Sequence, residues 1–196
     1  MKTFARYFYP VTAVVLFLAF GSALHAQKMT VRLDPAQTEI RWKLTDTLHN
    51  IHGTFKLKTG KMSFDPAVGL AEGEFLVDAD SGDSGSSMRD GVMKKKVLQT
   101  DRYPLISFRA AKIAGEPKPA SMQDVTVDGT FNIHGADHAL RMGLKVQMDG
   151  DKIAATTHFV VPYVDWGMKD PSNFVLKAGK QVDVDVVTHG TIEAAH

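Results

Sequence analysis

The sequence predicts an all-β protein, an antiparallel sheet of about eight strands closed into a barrel and carrying one substantial helix. Three observations predict it. First, apolar and polar residues alternate between residues 38 and 78 with hardly a break, and again from residue 105 almost to the C-terminus. Side chains on a strand point to opposite faces with period two, so each segment has one apolar and one hydrated face. Second, one substantial stretch with helical spacing interrupts the pattern, at residues 87–99. Third, several strands run to about ten residues, and closing them into a barrel removes the edges that an open sheet exposes. A jelly-roll sandwich is the alternative.

In chain order, Ile40, Trp42 and Leu44 alternate with Glu39, Arg41 and Lys43. Ile51, Gly53, Phe55 and Leu57 alternate with His52, Thr54 and Lys56, and Met62 and Phe64 follow Lys61 and Ser63. Gly73, Phe75 and Val77 answer to Glu72, Glu74 and Asp78. Residues 78–86, rich in Gly, Ser and Asp, then read as a turn. Ser87 stands three residues before Asp90, close to a capping box, and opens the helix. Met88, Val92, Met93 and Val97 fall near one face, and Lys94, Lys95 and Lys96 occupy the later half, where positive charge suits the helix dipole. Tyr103-Pro104 ends the helix and begins a strand at 105–110; Gly115 to Pro119 form a loop. Strands follow at 123–133, 139–148, 152–163 and 181–193, with Val125, Val127, Phe131 and Ile133, then Leu140, Met142, Leu144, Val146 and Met148, and finally Val182, Val184 and Val186 as their apolar stripes.

Residues 1–26 stand apart from this sheet. Lys2 and Arg6 precede an apolar run from Val11 to Phe20, and Gly21, Ser22, Ala23 and Ala26 supply small residues for cleavage, the layout of a secretory signal peptide. A retained membrane anchor is the alternative, but the run is about half of the ~20 residues a spanning helix needs. The expectation is a periplasmic or secreted bacterial protein with no stable membrane span after cleavage, comprising one domain over residues 27–196. With no cysteine, the chain has neither a lipid-modified N-terminal Cys nor a disulfide. Removing residues 1–26 takes basic residues from 23 to 21 against 22 acids, which gives none of the basic excess expected of a nucleic-acid binder.

The motifs that resemble catalytic chemistry fail on inspection. Gly82-Asp83-Ser84-Gly85-Ser86 looks like a serine-protease nucleophile loop, yet only His49 and His52 precede it in the mature chain, and both lie in a strand pattern. A calcium loop starting at Asp78 would place Asp83 where a glycine is needed and Arg89 where a bidentate glutamate is needed. His49 and His52, three apart on a strand, point to opposite faces. His134 and His138 flank a Gly-Ala-Asp turn, and their spacing does not define a three-ligand zinc site with His158 or His189. The chain is therefore read as non-enzymatic, with no metal and no cofactor.

The remaining constellation is apolar. Trp42, Phe55, Phe64, Phe75, Phe131, Met142, Val146, Met148 and Phe159 lie on apolar faces contributed by different strands. They either fill a core or line a cavity in which Gly53, Gly73 and Gly129 leave space, and pattern alone leaves both readings open.

At these residues the chain resembles the YceI-like family. Leu33-Asp34 and Thr38-Glu39-Ile40-Arg41-Trp42-Lys43-Leu44 resemble its opening strand, and Gly53-Thr54-Phe55 with Met62-Ser63-Phe64-Asp65 its second and third. Arg89-Asp90, then Tyr103-Pro104-Leu105-Ile106-Ser107-Phe108, are similar to its helix and following strand. Val127-Asp128-Gly129-Thr130-Phe131-Asn132-Ile133-His134-Gly135 and Asp165-Trp166-Gly167 complete a likeness that covers nearly all of residues 32–193. The resemblance implies a lipocalin-like barrel that binds an isoprenoid or other amphiphilic lipid. The expectation built on it is a carrier with the apolar chain among the residues above and a polar head near the mouth, by Arg89, Asp90 or the lysines that follow. The chain departs where the family commonly carries a His-Ser pair before the first strand and a His soon after it. Gln37-Thr38 occupies the first place, and Thr45-Asp46 leads to His49 only after a shift, so the usual head-group histidine is not matched in register. A metal-dependent hydrolase and an interaction module with a filled core are the competing readings, and a homodimer is left open.

Overall fold

The computed structural model describes residues 28–46, 50–115, 121–172 and 177–194. The signal segment, His49 and residues 116–119 of the predicted loop lie outside them. Eight antiparallel strands close into a barrel in sequence order: β1 (Met29–Thr45), β2 (Asn50–Asp65), β3 (Leu70–Asp83), β4 (Leu105–Ala114), β5 (Met122–Ile133), β6 (Ala136–Asp149), β7 (Lys152–Val161) and β8 (Val182–Ala194). The ring is completed by β1 against β8, where Ile40 faces Val186 and Trp42 faces Val184. The inward positions are those that the alternation marks as apolar.

One end of the barrel is joined by short connections. Residues 66–69 link β2 to β3, and residues 150–151 link β6 to β7. The other end carries the long connections between β3 and β4 and between β7 and β8, plus a tight hairpin between β5 and β6. That hairpin turns on His134 and Gly135, both at positive φ (53° and 75°), the geometry whose twist matches the flanking strands. Sequence spacing places the turn at residues 135–137 instead, but Ala136, Asp137 and His138 belong to β6.

Two further expectations are corrected. The run at 78–83 is not a turn but the last part of β3, paired to β2 through Lys56–Asp78 and Thr54–Asp83. Its small residues serve packing: Ala79 is 1% exposed, and a side chain at Gly82 would run into Met93 and Phe55. The capping box also does not form, because Asp90 accepts hydrogen bonds from the backbone N and the hydroxyl of Ser84 (2.9 and 2.6 Å). The helix, α1 (Ser87–Val92), continues directly into a π-helical turn, Met93–Leu98, and ends at left-handed Gln99. In a π turn the backbone bonds run between residues five apart and the turn widens; here both Val97 and Leu98 are buried.

Barrel closure is uneven. β6 pairs with β7 only from Leu144–Thr157 to Asp149–Lys152, although β6 continues back to Ala136 and β7 on to Val161. Those two stretches pair fully with their other neighbours, β5 and β8.

Candidate functional site

The interior divides into two halves. At the end with short connections, Val31, Phe64, Val125, Val146, Ile153 and Ile192 are each 3–8% exposed and pack against one another as a plug. Above the plug lies a cavity of about 530 Å³, within the roughly 300–1,000 Å³ range of small-molecule sites. Its wall is built from inward positions of all eight strands. Of the residues predicted to line it, Trp42, Phe55, Phe75, Phe131, Met142 and Phe159 do so. Phe64 and Val146 do not: both belong to the plug, because they sit toward the far ends of β2 and β6.

The glycines play a different part from the one expected. Gly53 and Gly129 leave no open space, since a Cβ at Gly53 would collide with the Trp42 ring and one at Gly129 with the Phe108 ring. They are the hollows into which neighbouring aromatics lie flat. Phe131 packs edge-on against Phe159 and also meets Trp166, each with ring centroids 5.9 Å apart.

The wall has few polar groups, and most are bonded within the protein. The hydroxyls of Thr38 and Thr188 lie 2.6 Å apart, and Thr157 donates to the carbonyl of Gly143 (2.8 Å). Thr38 occupies the second position of the departure noted above, so a hydroxyl pair stands there inside the barrel. The indole Nε1 of Trp42 is buried without a partner in the protein. Tyr163 donates to the carbonyl of Gly179 (2.7 Å), and burial, helped by the nearby Asp170 charge, pushes its phenol up to about 12.

The long connections cover the top of the cavity. Val97 and Leu98 reach down from the helix, and Tyr163 and Met168 (5% and 3% exposed) enter from the β7–β8 connection. Backbone bonding of Gly179 to Thr45 ties that connection to β1. Leu98, Tyr163 and Met168 escape the sequence pattern because the covering segments carry no strand periodicity, whereas Thr188 continues the Val182, Val184, Val186 stripe of β8 and escapes it only because it is polar. At the rim, Met88 is 79% exposed and Arg89 lies beside it, the guanidinium donating to the carbonyl of Ser84 (3.0 Å). Asp90 is turned away to Ser84 and is not part of the wall, so only one member of the predicted head-group pair stands at the rim.

The other candidate centres disperse. Ser84 bonds to Asp90, and Asp80 accepts from Thr100 (3.0 Å). His134 packs on Tyr103, His138 stacks on Trp166, His158 meets Asp185, and His189 approaches the Gln37 carbonyl. Among the described residues no three His, Asp or Glu side chains are grouped so as to hold a metal ion. No described helix is long and apolar enough to cross a membrane.

Residues 32–189 match the YceI-like domain. The chain belongs to the YceI-like family. Solved structures agree with this YceI-like barrel in fold. BcnA of Burkholderia cenocepacia matches at 17% identity and a TM-score of 0.64, over 80% of this chain and 98% of its own. A polyisoprenoid-binding domain from Saccharophagus degradans, implicated in plant cell wall breakdown, matches at 18% identity and 0.63, over 84% and 98%. The Campylobacter jejuni YceI protein matches at 16% and 0.58, over 74% and 86%. No curated protein matches the chain.

Proposed function

We propose that this YceI-like protein is an exported, non-enzymatic carrier that holds an isoprenoid-like or other amphiphilic lipid inside its barrel. The observation that carries the reading is the cavity of about 530 Å³, lined mainly by apolar side chains, with charge contributed by Asp46 and Arg89 and with hydroxyls nearly all bonded within the protein. Such a wall offers a ligand burial and little else, at about 0.8 kcal/mol per methylene. Ten buried methylenes, roughly 8 kcal/mol, correspond to a Kd on the order of 1 μM before the cost of immobilisation. A polar head would remain at the rim beside Arg89, outside the apolar interior. The polyisoprenoid-binding domain from Saccharophagus degradans, which shares the fold, is consistent with this ligand class. Export rests on the layout of residues 1–26.

Native mass spectrometry of protein purified from its own host, followed by lipid extraction, tests both parts. The expected result is a chain shortened near Ala26 that carries a stoichiometric lipid. A full-length chain would remove the export reading. A lipid-free barrel that takes up no isoprenoid when offered it would remove the carrier.

A further inference from the structure

The partial ladder between β6 and β7 leaves a seam in the barrel wall. Above Leu144–Thr157, no backbone pair joins Ala136–Gly143 to His158–Val161. The seam runs along the hollow half, since the His134–Gly135 hairpin and the end of β7 both lie at the cavity end. Cavity-lining residues form its lips: Met142 on one side, Phe159 and Val161 on the other, with Leu144 at the last paired position below. The outward side chains of each lip bond away from it. Arg141 makes two hydrogen bonds to Asp128 on β5 (2.5 and 2.9 Å), Asp137 bonds to Arg109 on β4 and Asn132 on β5, and His158 lies 2.9 Å from Asp185 on β8. The lower end of the seam is stitched by Thr157 to the Gly143 carbonyl. Its upper end is filled by Trp166, stacked on His138 with rings 4.0 Å apart and 7° from parallel.

We propose that this seam is the portal through which a lipid chain passes sideways into and out of the cavity, with the Trp166–His138 stack as its upper closure. Leaving by the top would displace Val97, Leu98, Tyr163 and Met168 and break the Tyr163–Gly179 bond. Parting the lips breaks no ladder bond, because none is formed there. A flexible chain laid along the slot meets the apolar side chains of Met142, Phe159 and Val161 on its inner side and passes the unpaired backbone edges of the two strands, while its head stays outside in water. This proposal rests on the carrier reading.

The absence of cysteine makes a cross-link test clean. Continuing the β6–β7 register would set Arg141 opposite Val160, so the variant Arg141→Cys/Val160→Cys bridges the lips by oxidation, or by a short bismaleimide where the gap is too wide for a disulfide. The control, Lys145→Cys/Thr156→Cys, bridges a pair already in register. The probe is geranylgeraniol carrying an anthraniloyl label, with uptake and release followed by stopped flow. Sealing the lips is expected to slow both rates at least about tenfold while leaving Kd unchanged. Reduction should restore the rates in the disulfide form, and the control bridge should leave them as in wild type. Unchanged rates in the sealed protein, or equal slowing in the control, overturn the portal while the carrier stands. No uptake of the probe by wild type overturns the carrier, and the portal with it.

Discussion

Replacing Met142 with tryptophan separates a hollow barrel from a filled one. Met142 sits in the cavity wall and is only partly buried, so an indole placed there extends into the cavity. Were the interior packed like the plug, the larger side chain would overfill it at about 1–3 kcal/mol. For a domain of this size that is a loss of roughly 2–12 °C in Tm. In the hollow half the indole finds room, and Tm should stay within about 2 °C of wild type. The ring then takes the place of about three or four methylenes of ligand chain, roughly 3 kcal/mol and about a hundredfold in Kd. Thermal melts and titration with the labelled isoprenoid, run on the same preparations, give the two numbers. A large fall in Tm together with an unchanged Kd would refute the assignment of this wall to ligand.

Phe64→Ala should do the reverse, because it empties the plug: about 3–5 kcal/mol less stability in denaturant titration, with little change in affinity of the folded fraction. Gly53→Ala should cost about 1–3 kcal/mol and alter the Trp42 emission, since the new methyl meets the indole and the Asp83 carbonyl. Gly143→Ala, which faces open space, should be neutral or more stable by up to about 1 kcal/mol in the same melts. Tyr163 gives a pH signature. Its folded value of about 12 lies above the ordinary value of 10.0, so its contribution is fully present below pH 10 and is lost as pH rises toward 12. Tyr163→Phe should flatten that part of the alkaline stability profile, and an identical profile would show that the phenol does not respond to its burial.

Much of this barrel is written in its alternation. Ile40, Trp42 and Leu44, or Val182, Val184 and Val186, need only period two to be placed inward. Phe64 and Val146 show where that information ends, because plug and cavity wall use the same alternation. Which positions touch one another is set by side-chain sizes arriving from strands far apart in sequence. The seam is illegible for the same reason: Met142 and Phe159 sit on strands whose pattern does not change where pairing stops. Residues 78–83 misled for a local reason, since the small side chains that admit the helix above Ala79 and Gly82 are also those that favour turns. The π turn that brings Leu98 downward breaks the 3.6-residue spacing by which a helical face is recognised.

The plug gives the barrel a graduated depth. Met62 and Leu33 line the lowest part of the cavity, directly above the buried Val31 and Phe64. For a chain held as proposed, they would form the stop against which its tail rests, with its head kept at the rim by the need to remain wet. The distance between stop and rim therefore acts as a ruler, and the longest chain that fits is set by a handful of side chains at the floor. Trimming Met62 moves the zero of that ruler toward the plug and admits a longer chain; enlarging Leu33 moves it toward the rim and selects a shorter one. On the carrier reading, length selectivity would then shift through one or two floor positions, with no change to the strands or the rim.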